Sequence, residues 1–300
     1  MENFELLSEQ IKRYRDTYKN WIRVMYSVKK GRNPIKCILK NGIRMSLDYD
    51  TTWAFPRYHH YLGVPLDELQ KFRDSKMLNF KYRGTPVNLK VYLENKLIGG
   101  VLEVFCTDDY KFLDCRNSIV IDIGANIGDT PMYFALNGAE KVIALEPYHP
   151  YYEIAMENVK NNNLDKSVTL LNAGYGKDGS MIMKDPHFEF APVTPIRSSR
   201  ESIETYSLRS IINNFGLEDS DRLMLKVDCE GCEYNLLNEK HETIMKFHKI
   251  QIEYHYGFEK LMKFLENLGY RTRYTKPKKQ FSPENQDLMT YGYIFAEKKE

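Results

Sequence analysis

Val120-Ile121-Asp122-Ile123-Gly124-Ala125-Asn126-Ile127-Gly128-Asp129-Thr130-Pro131 is the stretch whose reading decides the fold. A β-branched run carries a carboxylate to a strand tip, and a loop with glycines at 124 and 128 follows. Thr130 is a good N-cap and Pro131 suits a first helical position, so the expected unit is strand, loop, helix. Glycine lets backbone come close to a ligand, and the first N–H groups of the helix face the same crevice. A neutral phosphate cradle has no use for Asp122. A ligand with a cationic amine beside a carboxylate does.

Working outward, the chain from about Ser118 alternates between strand and helix. Strands are expected at 119–123, 141–146, 168–172, 223–228, 249–253, 270–274 and 289–296. Helices are expected at 131–136, 151–161, 208–215, 232–241 and 258–268. This alternation predicts an α/β fold with a mostly parallel seven-stranded sheet covered by helices on both faces. Only the loop 275–288 separates the last two strands, so the final one is expected to run antiparallel. Ligands bind such sheets at the carboxyl ends of the strands. Those ends read Asp122, Glu146, Asn172, Asp228 and Glu253, all of them polar.

Glu146 ends the second strand, where an acid can accept hydrogen bonds from both hydroxyls of a ribose. NAD and S-adenosylmethionine both offer such a ribose. The loop separates them, because a dinucleotide fingerprint wants G-x-G-x-x-G, whereas Gly124-Ala125-Asn126-Ile127-Gly128 has only two glycines. Pyrophosphate at this turn would also face the charge of Asp122. The methionine end of S-adenosylmethionine has the amine and carboxylate that the loop suits. Asn172-Ala173-Gly174 ends the third strand, either beside the cofactor's adenine or as an ordinary polar turn. Residues 180–196 alternate and hold several prolines, which predicts a hairpin near the mouth of the crevice.

A second dense cluster is Leu225-Lys226-Val227-Asp228-Cys229-Glu230-Gly231-Cys232-Glu233. Several acids at one strand tip are costly unless they meet a cation, a ligand or water. The next strand ends Glu253-Tyr254-His255-Tyr256, so Glu253 and His255 can face the cluster. Such a group could bind a divalent metal or supply a general base. No recognised ligand spacing supports the metal, and none is assigned. Cys229 and Cys232 form a single C-x-x-C among acids, and both are read as small packing residues.

Composition sets the outer bounds. The chain has 300 residues, 42% hydrophobic and 28% charged, as in a globular chain with a full core. Its net charge of +2 gives no global field for nucleic acid or an anionic membrane. The Lys276-Pro277-Lys278-Lys279 run reads as a solvated loop. No stretch approaches the ~20 apolar residues of a membrane span, and the N-terminus does not resemble a secretory signal. The cysteines, Cys37, Cys106, Cys115, Cys229 and Cys232, are odd in number and irregularly spaced, which suggests no disulfide framework and a cytoplasmic home. In residues 1–100, Leu7, Ile11, Tyr14, Tyr18, Trp21 and Met25 predict one amphipathic helix ending near Gly31. Hairpins are expected around Asn41-Gly42 and Gly84, and a short helix at Pro65. This region carries no chemical motif and reads as an α+β cap.

Taken in order, the motifs resemble the FkbM-type family of S-adenosylmethionine-dependent methyltransferases. The run from Val120 to Gly128 is similar to that family's cofactor loop, and Ala144-Leu145-Glu146-Pro147 to its second motif. Glu157-Asn158-Val159-Lys160-Asn161-Asn162 resembles the asparagine-containing helix that follows. Tyr206-Ser207-Leu208 opens its short leucine-rich helix, and Lys226-Val227-Asp228-Cys229-Glu230-Gly231-Cys232-Glu233 resembles its K-x-D-x-E-G-x-E block. Ile252-Glu253-Tyr254-His255 and Leu268-Gly269-Tyr270 complete the order. The resemblance runs from about Ser118 to Tyr270 and implies a Rossmann-like class I methyltransferase fold; the expected domains are a methyltransferase domain at 101–300 and, outside the resemblance, an accessory cap at 1–100. The resemblance also implies methyl transfer to a hydroxyl oxygen of a sugar, glycolipid or small metabolite.

On this reading Asp122 meets the cofactor's amino group, Gly124, Asn126 and Gly128 allow close backbone approach, Glu146 holds the ribose, and Asn172 and Ala173 flank the adenine. His255 is the expected base ahead of Glu230, and Asp228 borders the transfer point. Partners are a small-molecule or glycan acceptor, with no nucleic acid and no membrane span. The competing readings are an NAD-dependent oxidoreductase and a non-catalytic protein of the same fold.

Overall fold

The computed structural model describes residues 2–91, 95–182, 202–282 and 287–299. The chain divides into two compact units, Met1–Asp109 and Tyr110–Glu300.

In the first unit the apolar stripe expected as one helix forms two, Glu2–Thr17 and Trp21–Lys29. Strand-like pairing makes the break: Lys19 N donates to the Ile38 carbonyl at 2.7 Å and Lys40 N to that of Thr17 at 2.9 Å. The Asn20 side chain adds to it, donating to the Lys36 carbonyl and accepting from Ile38 N. Both expected hairpins form, Ile35–Ile38 with Arg44–Leu47 and Met77–Tyr82 with Thr85–Lys90. The short helix is Leu66–Ser75. Tyr49–Tyr61 is also helical, capped by Asp48 through Thr51 N; Pro56 inside it breaks the pattern by which a sequence announces a helix.

The second unit holds the sheet. Its strands are β1 (Ile119–Ile123), β2 (Lys141–Leu145), β3 (Val168–Leu171), β4 (Leu223–Val227), β5 (Phe247–Tyr254), β6 (Tyr270–Tyr274) and β7 (Asp287–Lys298). They lie in the order β6-β7-β5-β4-β1-β2-β3. All pairs from β5 to β3 are parallel, and β7 is antiparallel to both β5 and β6. This is the Rossmann-like arrangement that the motifs imply. Lys278–Ser282 adds an eighth strand against the first half of β7, where a loop with a basic run was expected. Of the expected 180–196 hairpin, Gly179–Ile182 is paired with Ser202–Tyr206; the remainder lies outside the described residues.

Helices of this unit are α1 (Asp129–Leu136), α2 (His149–Asn161), α3 (Leu208–Asn214), α4 (His241–Ile244) and α5 (Glu259–Asn267). The helix expected at 232–241 is instead a 3₁₀ turn, Cys232–Asn238, followed by α4. Ile121 and Ile123 of β1 join Leu225 and Val227 of β4 in a core shared with α3 and α5. Side chains alternate along a strand, so Asp122 and Lys226 fall on the opposite face, where α1 packs on β1 and β2. Every residue of β4 is buried, as a central parallel strand requires. One of them is a lysine.

Candidate active site

That lysine fixes the glycine loop. The parallel register sets Lys226 beside Asp122, and its Nζ lies 3.0 Å from Asp122 Oδ1. The same ammonium donates to the carbonyls of Ile123 at 3.2 Å and Gly124 at 2.5 Å. Burial opposes its charge, but Asp122 and Asp228 outweigh that and raise the Lys226 pKa above the usual lysine value. Thr130, expected as the N-cap, instead donates its hydroxyl to Asp122 Oδ2 at 2.6 Å. Helix α1 starts at Asp129, two residues before the expected Pro131, with Gly128 at φ 87° as its N-cap. Asp122 is therefore fully buried, its carboxylate engaged by Lys226 and Thr130.

The two glycines serve backbone packing. A Cβ on Gly124 would lie 1.8 Å from the Asp228 carbonyl oxygen, so Gly124 lets the tips of β1 and β4 touch. A Cβ on Gly128 would meet Ala155 Cα at 3.0 Å, so Gly128 lets α2 press on the loop. From α2, buried Asn158 donates to the Ile127 carbonyl at 2.8 Å. Glu146 sits just past β2, one oxygen accepting from Asn126 N and the other from Tyr148 N, each at 2.8 Å. Burial pushes its pKa up to about 7 against the pull of those two N–H groups. Asn172 ties this region to β3: its amide donates to the carbonyls of Glu146 and Pro147, and its oxygen meets His149 Nδ1 at 2.9 Å. Ala173 is buried in the core beside it.

The loop also leaves acceptors unused. Asn126 Oδ1 and Asp129 Oδ1 are buried without a hydrogen-bond partner among the described residues. A carboxylate has about four acceptor positions, so Glu146 keeps capacity beyond its two N–H bonds. Open acceptors on buried groups suit a ligand rich in N–H and O–H donors. S-adenosylmethionine, with its ammonium and ribose hydroxyls as donors, fits these acceptors.

The tip of β4 holds the second group. Asp228 accepts from the buried Tyr110 hydroxyl at 3.0 Å through Oδ2. His255 Nε2 lies 4.0 Å from Asp228 Oδ1 and 3.6 Å from Glu230 Oε2. Its Nδ1 and backbone N both meet Glu233 Oε1, at 3.1 and 2.9 Å. Glu233 is itself fully buried and caps the turn by accepting from Gly231 N at 2.7 Å. Glu253, on the neighbouring strand, acts with Asp228 on Tyr110, whose hydroxyl pKa is raised by burial first and by these charges after. No His, Cys, Asp and Glu grouping among the described residues forms a metal site.

One expectation about this tip is corrected: Cys229 and Cys232 are joined in a disulfide. Glu230 at φ 54° and Gly231 at φ 123° fold the turn back, bringing the two Cα atoms to 5.5 Å. The spacing alone carries no such backbone geometry.

Burial lowers the basicity of His255, but the Glu233 hydrogen bond and the Asp228, Glu233 and Glu230 charges overcome it and raise its pKa to about 9. The ring is thus an imidazolium at neutral pH. Because its pKa rises from about 6.5 on folding, its stabilising contribution is complete below pH 6.5 and disappears as pH climbs through 9. The expected loss is about 3 kcal/mol across that window. Urea unfolding from pH 6 to 10 should show it, and His255→Gln should flatten the curve; an unchanged slope in the variant would refute the pairing.

Sequence reasoning named Asp122, Glu146, Asp228, Glu230 and His255, and the structure gathers Asp228 and Glu230 around the His255 imidazole. Lys226, Thr130, Asn158 and Glu233 were quoted in its motifs without a site role, and Tyr110 was not named at all. A lysine inside an otherwise apolar strand was the available signal for Lys226. Tyr110 is remote in sequence and gave none.

The methyltransferase FkbM domain profile matches residues 122–272. Among solved structures, the METTL16 methyltransferase domain is 14% identical with a TM-score of 0.45, covering 92% of this chain and 91% of that one. M. jannaschii TYW2 in complex with AdoMet is 16% identical at TM-score 0.39, over 75% of this chain and 87% of that one. M. jannaschii tRNA m1G37 methyltransferase is 12% identical at 0.39, over 75% of this chain but only 55% of that one. No substrate is carried over from any of them. No curated protein matches the chain.

Proposed function

Because the chain belongs to the FkbM methyltransferase family, we propose that it uses S-adenosylmethionine to methylate a hydroxyl oxygen of a sugar, glycolipid or small metabolite. The observation that carries this reading is Asp228, a partly exposed carboxylate at the end of β4 with one oxygen held by Tyr110 and the other facing the His255 ring. A carboxylate so oriented can take a proton from an acceptor hydroxyl. Bound S-adenosylmethionine supplies an electrophilic methyl group on sulfur. The protein's share is to align the acceptor and remove its proton.

Within the expected trio of Asp228, Glu230 and His255, the proton acceptor is a carboxylate. His255 carries its own proton at neutral pH and cannot accept another. Its positive charge holds Asp228 and Glu230 in place instead. Asp228→Asn is expected to lower kcat by about 10²–10⁴-fold with S-adenosylmethionine affinity kept. A rate that climbs toward pH 9 would restore His255 as the base.

Glu146 is assigned to the ribose, with Gly124, Asn126 and Gly128 shaping the loop and Asn172 and Ala173 flanking the adenine. Asp122 acts on the cofactor through the loop it anchors with Lys226. Glu146→Gln is expected to weaken S-adenosylmethionine binding about 100-fold by calorimetry, as two charge-assisted hydrogen bonds become neutral. Wild-type affinity in that variant would remove Glu146 from the site.

A nucleic-acid acceptor is disfavoured by the acids at the β4 tip and the near-neutral net charge. No helix among the described residues is long and apolar enough to cross a membrane. Labelled S-adenosylmethionine incubated with fractionated cell extract tests the acceptor class directly. The expected product carries its label as an ether methyl on a small molecule or glycan; label in RNA or DNA would reject the proposal.

A further inference from the structure

Next to His255 the surface opens into a cavity of about 310 Å³ lined by Tyr234, Tyr256, Gly257, Glu259 and Lys260. This lies at the small end of ligand sites, which span about 300–1,000 Å³, and suits one ring-sized group. One wall is Tyr256, the residue after His255, and Tyr256 is 53% exposed. A Cβ on Gly231 would lie 3.3 Å from Tyr256 Cε2, so the ring rests against the turn that carries Glu230. The cavity is therefore linked through Tyr256 to the turn that follows Asp228 and carries Glu230.

The platform is built rather than loose. Tyr234 donates its hydroxyl to the Gly257 carbonyl at 2.6 Å and accepts from Tyr256 N at 3.0 Å. The two rings stand 6.4 Å apart, inclined at 46°. A tyrosine held this way offers a flat apolar face at little entropic cost. Glu259 and Lys260 stand at the rim as an acceptor and a donor. Among the described residues of the lining, Glu259 and Lys260 carry opposite charges, and the nearby Asp228 and Glu230 outnumber the His255 imidazolium between them. That field opposes a phosphate-rich ligand and tolerates a neutral one.

We propose that Tyr256 and Tyr234 form the acceptor subsite for a neutral sugar ring, which stacks its C–H face on Tyr256 while its hydroxyls reach Glu259 and Lys260. A ring stacked there would lie beside the turn that carries Glu230, which Tyr256 touches at Gly231. The inference rests on the methyl-transfer reading for its biological meaning, but the binding claim stands on the cavity itself.

The test is saturation-transfer NMR on the full chain with S-adenosylhomocysteine present. The probes are methyl glucopyranoside, methyl mannopyranoside and methyl rhamnopyranoside, each at millimolar concentration, with adenosine monophosphate as the competing class. At least one glycoside should receive saturation on its ring protons, falling at least fivefold in Tyr256→Ala and persisting in Tyr256→Phe. S-adenosylmethionine affinity should stay within twofold in both variants, which reports that they are folded. Absence of signal from all three glycosides, signal from the nucleotide alone, or signal unaffected by Tyr256→Ala would each overturn the subsite. A chain that binds glycoside through Tyr256 yet not S-adenosylmethionine would overturn the methyl-transfer reading and leave the subsite standing.

Discussion

Lys226→Met is expected to destabilise the C-terminal unit by about 3–5 kcal/mol, the usual result of stripping a buried ion pair of one partner. The variant would strand the Asp122 carboxylate in the core and take a donor from the Ile123 and Gly124 carbonyls. For a unit of this size the shift in Tm is about 10 °C. Asp122→Ala should do comparable damage from the other side, leaving an uncompensated ammonium. Loss of S-adenosylmethionine binding in Asp122→Ala would then report a collapsed loop as readily as a lost contact. The double variant Asp122→Leu with Lys226→Met separates these. It removes both charges together and should recover most of the stability lost in either single variant. Calorimetric melts of all three, with cofactor titrations on those that fold, decide the matter. A Lys226→Met protein within 1 kcal/mol of wild type would show that the pair does not hold the loop.

The fold was legible because parallel sheets write themselves plainly. Apolar runs such as Leu223–Val227 and Ile119–Ile123 end in polar residues at the carboxyl edge, and the edge is where ligands bind. What escaped was mostly pairing at a distance. Thr130 looks like a helix cap in one dimension, yet its hydroxyl is drawn to Asp122, so α1 starts at Asp129. The first amphipathic stripe looks continuous, and only its pairing with residues 36–40 breaks it at Tyr18–Asn20. At the β4 tip the acids were legible but their partition was not. Glu233 is consumed in holding His255, and that bond, with the nearby charges, turns an expected base into a cation.

Gly124→Ala should be the more damaging of the two glycine substitutions, and the reason distinguishes a folding role from a binding one. Its new methyl would sit 1.8 Å from the Asp228 carbonyl oxygen and 2.9 Å from the carbonyl carbon, both backbone atoms that cannot swing away. The tips of β1 and β4 would have to separate, at the expense of the Asp228 N to Ile123 carbonyl bond of 3.0 Å and the Lys226 clip. The backbone adds strain, since φ at Gly124 is 82°. A loss above about 4 kcal/mol is expected, within the range that marks a specific structural failure. Gly128→Ala meets Ala155 at 3.0–3.2 Å, where a helix can give by a few tenths of an ångström, so a cost of about 1–3 kcal/mol is expected there. If Gly124 serves the sheet, S-adenosylmethionine binding in Gly124→Ala should fall only in step with the unfolded fraction seen by circular dichroism. A well-folded Gly124→Ala that no longer binds cofactor would instead place the glycine's open face toward the ligand.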